Sequence, residues 1–247
     1  MARSGRKLTP LPFSAHLKSP SSLCEVNFDV VSHTDSVGEF HHRRFDEVDK
    51  PTIWIPQLGD RQTLVLGSRQ DVQIVNQASC RERGIDVVKR RSGGGAVLVG
   101  AHDLVWIDVI MPREHPGWSE DVGRSFQWIG ERLLAALAQL GAAGTVHSGP
   151  MVKTEWSDLI CFAGLGPGEI TVDGKKMAGI SQRRTRHAAR FQIAVLKRWD
   201  PAAMLELFDL EATRQHAGLD ALADCAEALT APSERIRQTL IDVINAD

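Results

Sequence analysis

Residues 85–99 read Ile85-Asp86-Val87-Val88-Lys89-Arg90-Arg91-Ser92-Gly93-Gly94-Gly95-Ala96-Val97-Leu98-Val99. Two β-branched runs, 85–89 and 96–99, bracket three consecutive glycines, the pattern of a strand, a loop and a second strand. Adjacent glycines reach backbone conformations closed to other residues and let the main chain approach a ligand closely. Their successive N–H groups make a concavity suited to an anion, and Lys89, Arg90 and Arg91 reinforce it. The loop lacks the Gly-Lys-Ser/Thr ending of a P-loop and the spacing of a dinucleotide-binding turn. A tight turn between strands, flanked by solvated charges, accounts for the same residues.

Outward from this unit, short β-like runs alternate with helix signals. Thr52-Ile53-Trp54-Ile55 and Gln62-Thr63-Leu64-Val65-Leu66 predict strands, and a helix is expected from Asp71 to Arg83, stopped by Gly84. Leu104 to Ile110 predicts another strand. Glu120 to Leu140 predicts the clearest helix, capped by Ser119 and closed by Gly141. Its Val122, Phe126, Ile129, Leu133, Leu137 and Leu140 form one apolar stripe at three- and four-residue steps. Asp173-Gly174 suits a type I′ turn, joining a strand at 169–172 to one that starts at Lys175. Phe191 to Leu196 predicts one more strand. Asp200 and Pro201 then open a helical region, and a last helix is expected over 234–244.

The pattern is that of an α/β (α+β) fold, a single mixed-sheet domain over 25–247 behind a flexible leader over 1–24. The chain has 247 residues, 43% hydrophobic and 24% charged, with a formal net charge of −2. That balance excludes wholesale polyanion binding by net charge, so a nucleic-acid or membrane site would have to be a local patch, and neither partner is expected. No apolar run is long enough to span a bilayer. Cys24, Cys80, Cys161 and Cys225 are scattered without any CxxC pair, so no metal site is expected. Dispersed thiols without a signal peptide point to the cytoplasm.

Two further segments carry candidate chemistry. Cys161-Phe162 precedes a Gly/Pro-rich stretch and the hairpin bearing Lys175 and Lys176. A cation beside a cysteine makes the sulfur a better nucleophile, and strand alternation lets only one of the two lysines face a pocket. A hairpin lysine contributes little to stability, so Lys176→Ala is expected to leave the fold intact. Arg183, Arg184, Arg186, His187 and Arg190 form a basic cluster. It could hold phosphate or carboxylate, or it marks a solvated edge strand guarded by charge.

Together these segments resemble the lipoate–protein ligase and octanoyltransferase family, which shares its catalytic fold with biotin–protein ligases. Lys89-Arg90-Arg91-Ser92-Gly93-Gly94-Gly95-Ala96-Val97 is similar to the family's Arg-Arg-x-Ser-Gly-Gly-Gly-Ala-Val lipoyl-binding loop. Asp173-Gly174-Lys175-Lys176-Met177-Ala178-Gly179-Ile180-Ser181-Gln182-Arg183 is similar to its Asp-Gly-Arg/Lys-Lys-x-x-Gly-Ser-Ala-Gln-Arg segment, with Lys176 on the catalytic lysine. The resemblance covers residues 50 to 200.

What it implies is attachment of an octanoyl or lipoyl group to a lysine of a lipoyl domain. The acceptor would be a 2-oxoacid dehydrogenase E2 component or a glycine-cleavage H protein. Lys176 would polarise the acyl carbonyl or acyl phosphate. Arg90, Ser92, Gly93, Gly94, Gly95, Ala96, Val97, Gly179, Ser181 and Gln182 would bind the substrate, with Ala96 and Val97 lining an apolar slot. Lipoate or octanoate enters as substrate, and no tightly bound cofactor is implied.

Two activation routes divide this family. Ligases use ATP and Mg and pass through an acyl-adenylate. One transferase branch loads its own cysteine from an acyl carrier protein, using a Cys-Phe pair upstream of the lysine. Here Cys161-Phe162 stands fifteen residues before Lys176, and Glu169 matches a Glu of that branch. The triple glycine is closer to the ligase loop. The thioester on Cys161 is the preferred reading, with the ligase as alternative and biotin–protein ligation or a non-catalytic binding module behind it. Two departures stand out: His102-Asp103 is displaced from the family's His-Asp after the Gly-rich loop, and Phe191-Gln192 stands at its usual His-Gly.

Overall fold

The computed structural model describes residues 27–246; the leader expected over 1–24, with Cys24, lies outside them. In chain order the first elements are β1 (Asp29–His33), α1 (Val37–His42), β2 (Thr52–Pro56), β3 (Thr63–Leu66), α2 (Gln77–Glu82), β4 (Asp86–Lys89) and β5 (Val97–Val99). Next come β6 (Leu104–Pro112), α3 (Val122–Gln139), β7 (Gly144–Val146), β8 (Ile170–Val172), β9 (Lys175–Arg184) and β10 (Ala188–Leu196). Helices α4 (Pro201–Leu205), α5 (Ala212–Leu222) and α6 (Ser233–Asn245) close the chain.

A seven-stranded mixed sheet runs β1-β2-β6-β10-β9-β8-β7, and a three-stranded one runs β4-β3-β5. Alternation along β6 sends Val105, Ile107, Val109 and Met111 to one face, where Ile129, Leu133 and Leu137 of α3 and Ile236 and Leu240 of α6 meet them. Leu104, Trp106 and Ile110 point the other way and pack with Val65, Val97 and Val99 of the small sheet. The outer face of that sheet, through Leu64 and Leu66, packs on Met204, Leu205 and Leu222. No described helix is long and apolar enough to cross a membrane.

The Asp173-Gly174 turn forms as its sequence predicts, with φ of 49° and 80°. Other expectations need correction. Residues 71–83 do not make one helix: Asp71 caps a 3-10 turn at Val72–Ile74, and Asn76 caps the separate α2. Asp121, not Ser119, caps α3, accepting from the N–H groups of Gly123 and Arg124. Val122 at its first turn is 47% exposed and lies outside the apolar stripe.

The basic cluster is only partly an edge. Arg183 and Arg184 lie on the end of β9 beyond its pairing with β8, Arg186 and His187 are exposed at the hairpin turn, and Arg190 lies on the interior strand β10. Arg190 is buried, bonded through Nε to Asp108 Oδ2 at 2.5 Å and through its terminal nitrogens to the carbonyls of Phe40 and Arg43. Arg184 lies over the Trp118 ring, 4.6 Å from its centroid. Sequence periodicity reads charge as exposure, and here a buried carboxylate and helix-end carbonyls satisfy it instead.

Those carbonyls belong to α1 and its exit, and α1 carries His41, which is 3% exposed. Burial first, then Arg190 and Arg90, push the His41 pKa down to about 3 from an ordinary 6.5. The unfolded chain takes up a proton on this ring below its ordinary value, and the folded chain refuses it down to about 3. Stability therefore falls as pH drops through that window, by about 1.4 kcal/mol per pH unit from this ring. Urea denaturation of the native chain and of His41→Gln should show it: the variant loses that share of the slope between about pH 4 and pH 6.

Candidate active site

Strand β9 outruns its neighbour. β8 pairs with it only at Lys175, Lys176 and Ala178, so from Gly179 onward the outer edge of β9 has no strand partner among the described residues. A cavity of about 240 Å³ lies along that edge. Ile180, Ser181 and Gln182 form one wall, Gly93, Gly94 and Gly95 a second, and Cys161, Gly166, Pro167 and Glu169 a third. Phe126 and Met151 add apolar surface, and Lys176 stands at the inner end.

A β-bulge delivers that lysine. Ile170 faces Ala178 while Thr171 faces Lys176, which leaves Met177 as an extra residue. Without the extra residue Lys176 would share a face with Ala178 and Ile180, which belong to the core under α3 and α6. With it, Lys176 lies beside Gly179: a Cβ on Gly179 would stand 3.3 Å from Lys176 Cε. Lys175 goes the other way, to Asp224.

Lys176 is 4% exposed, and its ammonium is fully engaged. Nζ lies 2.7 Å from Glu169 Oε2 and donates to the carbonyls of Cys161 and Gly164, each at 2.9 Å. The Phe162 ring lies beneath it, with 5.2 Å from Nζ to the centroid. Burial works against its charge, but the Glu169 carboxylate and the Cys161 sulfur outweigh that, so the Lys176 pKa is raised. It is a fixed cation at neutral pH. Glu169 in turn accepts from the N–H of Gly166 at 2.6 Å and of Ile180 at 3.0 Å, tying the loop to β9.

The expectation that Lys176→Ala leaves the fold untouched therefore fails. Removing the ammonium strands a buried carboxylate, a change that costs about 3–5 kcal/mol.

Cys161 opens a 3-10 turn, and its N–H donates to the Ala96 carbonyl at 3.0 Å. Ala96 donates back to Leu159 at 2.9 Å. Gly95 lies flat against this peptide: a Cβ there would stand 2.6 Å from the Ile160 carbonyl carbon. Gly94 has φ of 101°, which suits glycine alone, and its missing side chain leaves the Cys161 sulfur open toward the loop. The N–H groups of Gly93, Gly94 and Gly95 have no hydrogen-bond partner among the described residues. The cavity thus combines a thiol, a buried cation and unpaired backbone donors, the parts needed to stabilise charge on an acyl oxygen.

Arg90 organises the loop from beneath. It is 2% exposed and donates to the carbonyls of Gly93 at 2.8 Å and Gly95 at 2.9 Å, and to Ser92 Oγ at 3.1 Å. Burial lowers its pKa, and the Cys161 sulfur opposes that shift. The sulfur interacts with both cations: a Cβ on Gly94 would stand 2.9 Å from an Arg90 terminal nitrogen and 3.9 Å from the Cys161 sulfur, and Lys176 bonds the Cys161 carbonyl.

The model of the lipoyl protein ligase A/B catalytic domain matches residues 37–237. The chain belongs to that family. Among its relatives, octanoyltransferase LipM of Carboxydothermus hydrogenoformans is 36% identical over 126 residues, 50% of this chain and 45% of that protein. Octanoyltransferase LipM of Lysinibacillus sphaericus is 30% identical over 154 residues, 60% of this chain and 55% of that protein. This chain thus spans about half the length of these relatives. The bipartite lipoate protein ligase of Thermoplasma acidophilum, studied with its E2 lipoyl domain, superposes with a TM-score of 0.70. It is 14% identical, and the match covers 89% of this chain and 82% of that one, a likeness of fold.

For a lipoyl ligase A/B catalytic domain, the structure divides the residues singled out in the sequence into two groups. Gly93, Gly94, Gly95, Cys161, Lys176, Ser181 and Gln182 meet at the cavity. Arg90, Ser92, Ala96, Val97 and Gly179 stand behind it. Ala96 and Val97 do not line this slot; they face a smaller recess with Phe162 and Trp199 on the far side of the loop. His102-Asp103 is remote from this cavity: His102 pairs with Asp60 at the surface, and Asp103 accepts from Gln62 and faces the smaller recess. Phe126 and Met151 line the cavity unanticipated, because an aromatic on a helix stripe and a loop methionine carry no signal apart from core packing.

Proposed function

We propose that this protein moves an octanoyl group from a carrier-protein thioester to Cys161, and from Cys161 to a lysine of a lipoyl domain. The observation that carries this reading is the place of Cys161 in the cavity wall, where Lys176 lines the same cavity and the Cys161 sulfur and the Arg90 guanidinium both lie beside Gly94. Its likeness to the LipM octanoyltransferases supports the same choice of route.

In the first half-reaction the Cys161 sulfur, as thiolate, attacks the octanoyl carbonyl. The bond to the carrier sulfur breaks, and the carrier leaves as a thiol with the proton Cys161 gave up. In the second, the acceptor amine attacks the new thioester. An amide forms, the Cys161–carbonyl bond breaks, and the amine proton goes to the departing sulfur. Charge on the carbonyl oxygen in both steps faces the free N–H groups of the glycine loop and the field of Lys176. The tail fits the apolar stretch formed by Phe126, Met151 and Ile180, at about 0.8 kcal/mol per buried methylene.

A donor comparison tests this. Given a lipoyl domain, the chain is expected to transfer octanoyl from octanoyl-carrier protein without nucleotide, and to leave free octanoate or lipoate unused when ATP and Mg are supplied. Transfer from the free acid with ATP, and none from the carrier, would assign the ligase route.

A further inference from the structure

Ser181, which lines the cavity, ends a chain of hydrogen bonds whose direction can be worked out from the far end. The Asp108 carboxylate is tied to Arg190 and can only accept, so the Gln192 amide turns its NH2 end toward it, at 3.4 Å. That nitrogen also lies 3.0 Å from His41 Nδ1. His41 is neutral there, and with the NH2 end of Gln192 facing it Nδ1 accepts, which leaves the proton on Nε2. The Asp108 carboxylate fixes the amide, and the neutral ring accommodates that orientation.

Gln192 Oε1 therefore faces Ser92 and takes its hydroxyl hydrogen, at 2.7 Å. Arg90 Nε donates to the Ser92 oxygen, and an arginine can do nothing else. One lone pair on Ser92 remains, and Ser181 donates into it at 3.0 Å. The Ser181 hydrogen is thus committed to the interior. What Ser181 offers the cavity is its lone pairs.

We infer that Ser181 is a preset acceptor for an N–H of the attacking lysine amine, and that Gln192 is the positioning residue that presets it. This rests on the acyl transfer proposed above and concerns only its second half-reaction. A primary amine attacks through its nitrogen lone pair. An acceptor holding one N–H turns that lone pair in a fixed direction, whereas a hydroxyl free to rotate would equally donate to the lone pair and block it. The same Arg90 that bonds Ser92 interacts with the Cys161 sulfur, so acceptor and thioester are referred to one rigid group. Ser181 takes no proton in the step: the nitrogen forms its bond to the acyl carbon, the C–S bond breaks, and the amine proton leaves with the sulfur. A donor role for Ser181 toward the carbonyl oxygen is excluded by the same chain.

Single-turnover transfer from isolated octanoyl-enzyme to a lipoyl domain, followed by intact mass, reads this step alone. Ser181→Ala is expected to slow transfer at saturating acceptor about tenfold, with the half-saturating acceptor concentration unchanged. Ser181→Thr, which keeps the hydroxyl, should stay within about threefold of the native rate. Gln192→Met should slow the same step, and the double variant with Ser181→Ala should be no slower than Ser181→Ala, since both act through one oxygen. Thermal melts of each variant show whether it is folded. Native transfer by Ser181→Ala, or additive losses in the double variant, overturns the inference while the thioester reading stands. Failure of the native chain to form octanoyl-enzyme overturns both.

Discussion

Cys161→Ser is expected to take up no hydroxylamine-labile octanoyl group from octanoyl-carrier protein, where the native chain gains one acyl mass. Transfer to a lipoyl domain should fall by about a thousandfold or more, the scale seen when a nucleophile is removed from a covalent mechanism. The substitution is close to isosteric, and the Cys161 backbone bond to the Ala96 carbonyl is unaffected by it. The melting temperature should hardly move. A serine oxygen at this place is a far weaker nucleophile than a thiolate sulfur. Retained octanoylation by Cys161→Ser with ATP and free acid would remove the thioester from the mechanism and leave Cys161 as a packing residue.

The split between what the residues reveal and what they hide follows from the physics of each signal. The triple glycine and the Asp173-Gly174 turn are local constraints on φ, and local constraints are written in sequence. Strand periodicity identified β2, β3, β4, β5, β6 and β10 to within a few residues, because both sheets are buried on at least one face. β1 is mostly exposed, and β7 is three residues long, so neither leaves a pattern. The polar core formed by His41, Asp108, Arg190 and Gln192 was illegible for another reason. Each residue reads as surface when taken alone, and its burial is possible only because distant segments supply partners. The bulge at Met177 is equally silent, since one extra residue in a strand changes no composition and yet decides which wall Lys176 enters.

That bulge makes the second large effect one of chemistry and stability together. Lys176→Met should abolish transfer and also lower stability, because Glu169 is left buried at 4% exposure without its cation. Loss of activity in this variant alone cannot separate the two. Lys176→Met combined with Glu169→Gln can. The glutamine has an amide oxygen for one of the two N–H groups that Glu169 now accepts, and no buried charge remains. Equilibrium urea unfolding is expected to return most of the roughly 3–5 kcal/mol lost by the single variant, while octanoyl transfer stays absent. Glu169→Gln by itself keeps the ammonium on the Cys161 and Gly164 carbonyls but removes its counter-charge, so a partial loss of transfer is expected. Should the double variant recover transfer with stability, Lys176 would be a structural cation whose field the acyl oxygen does not need. If it folds and stays inactive, the ammonium acts on the reaction itself, since the glycine loop, Cys161 and Arg90 would all still be in place around an uncharged side chain.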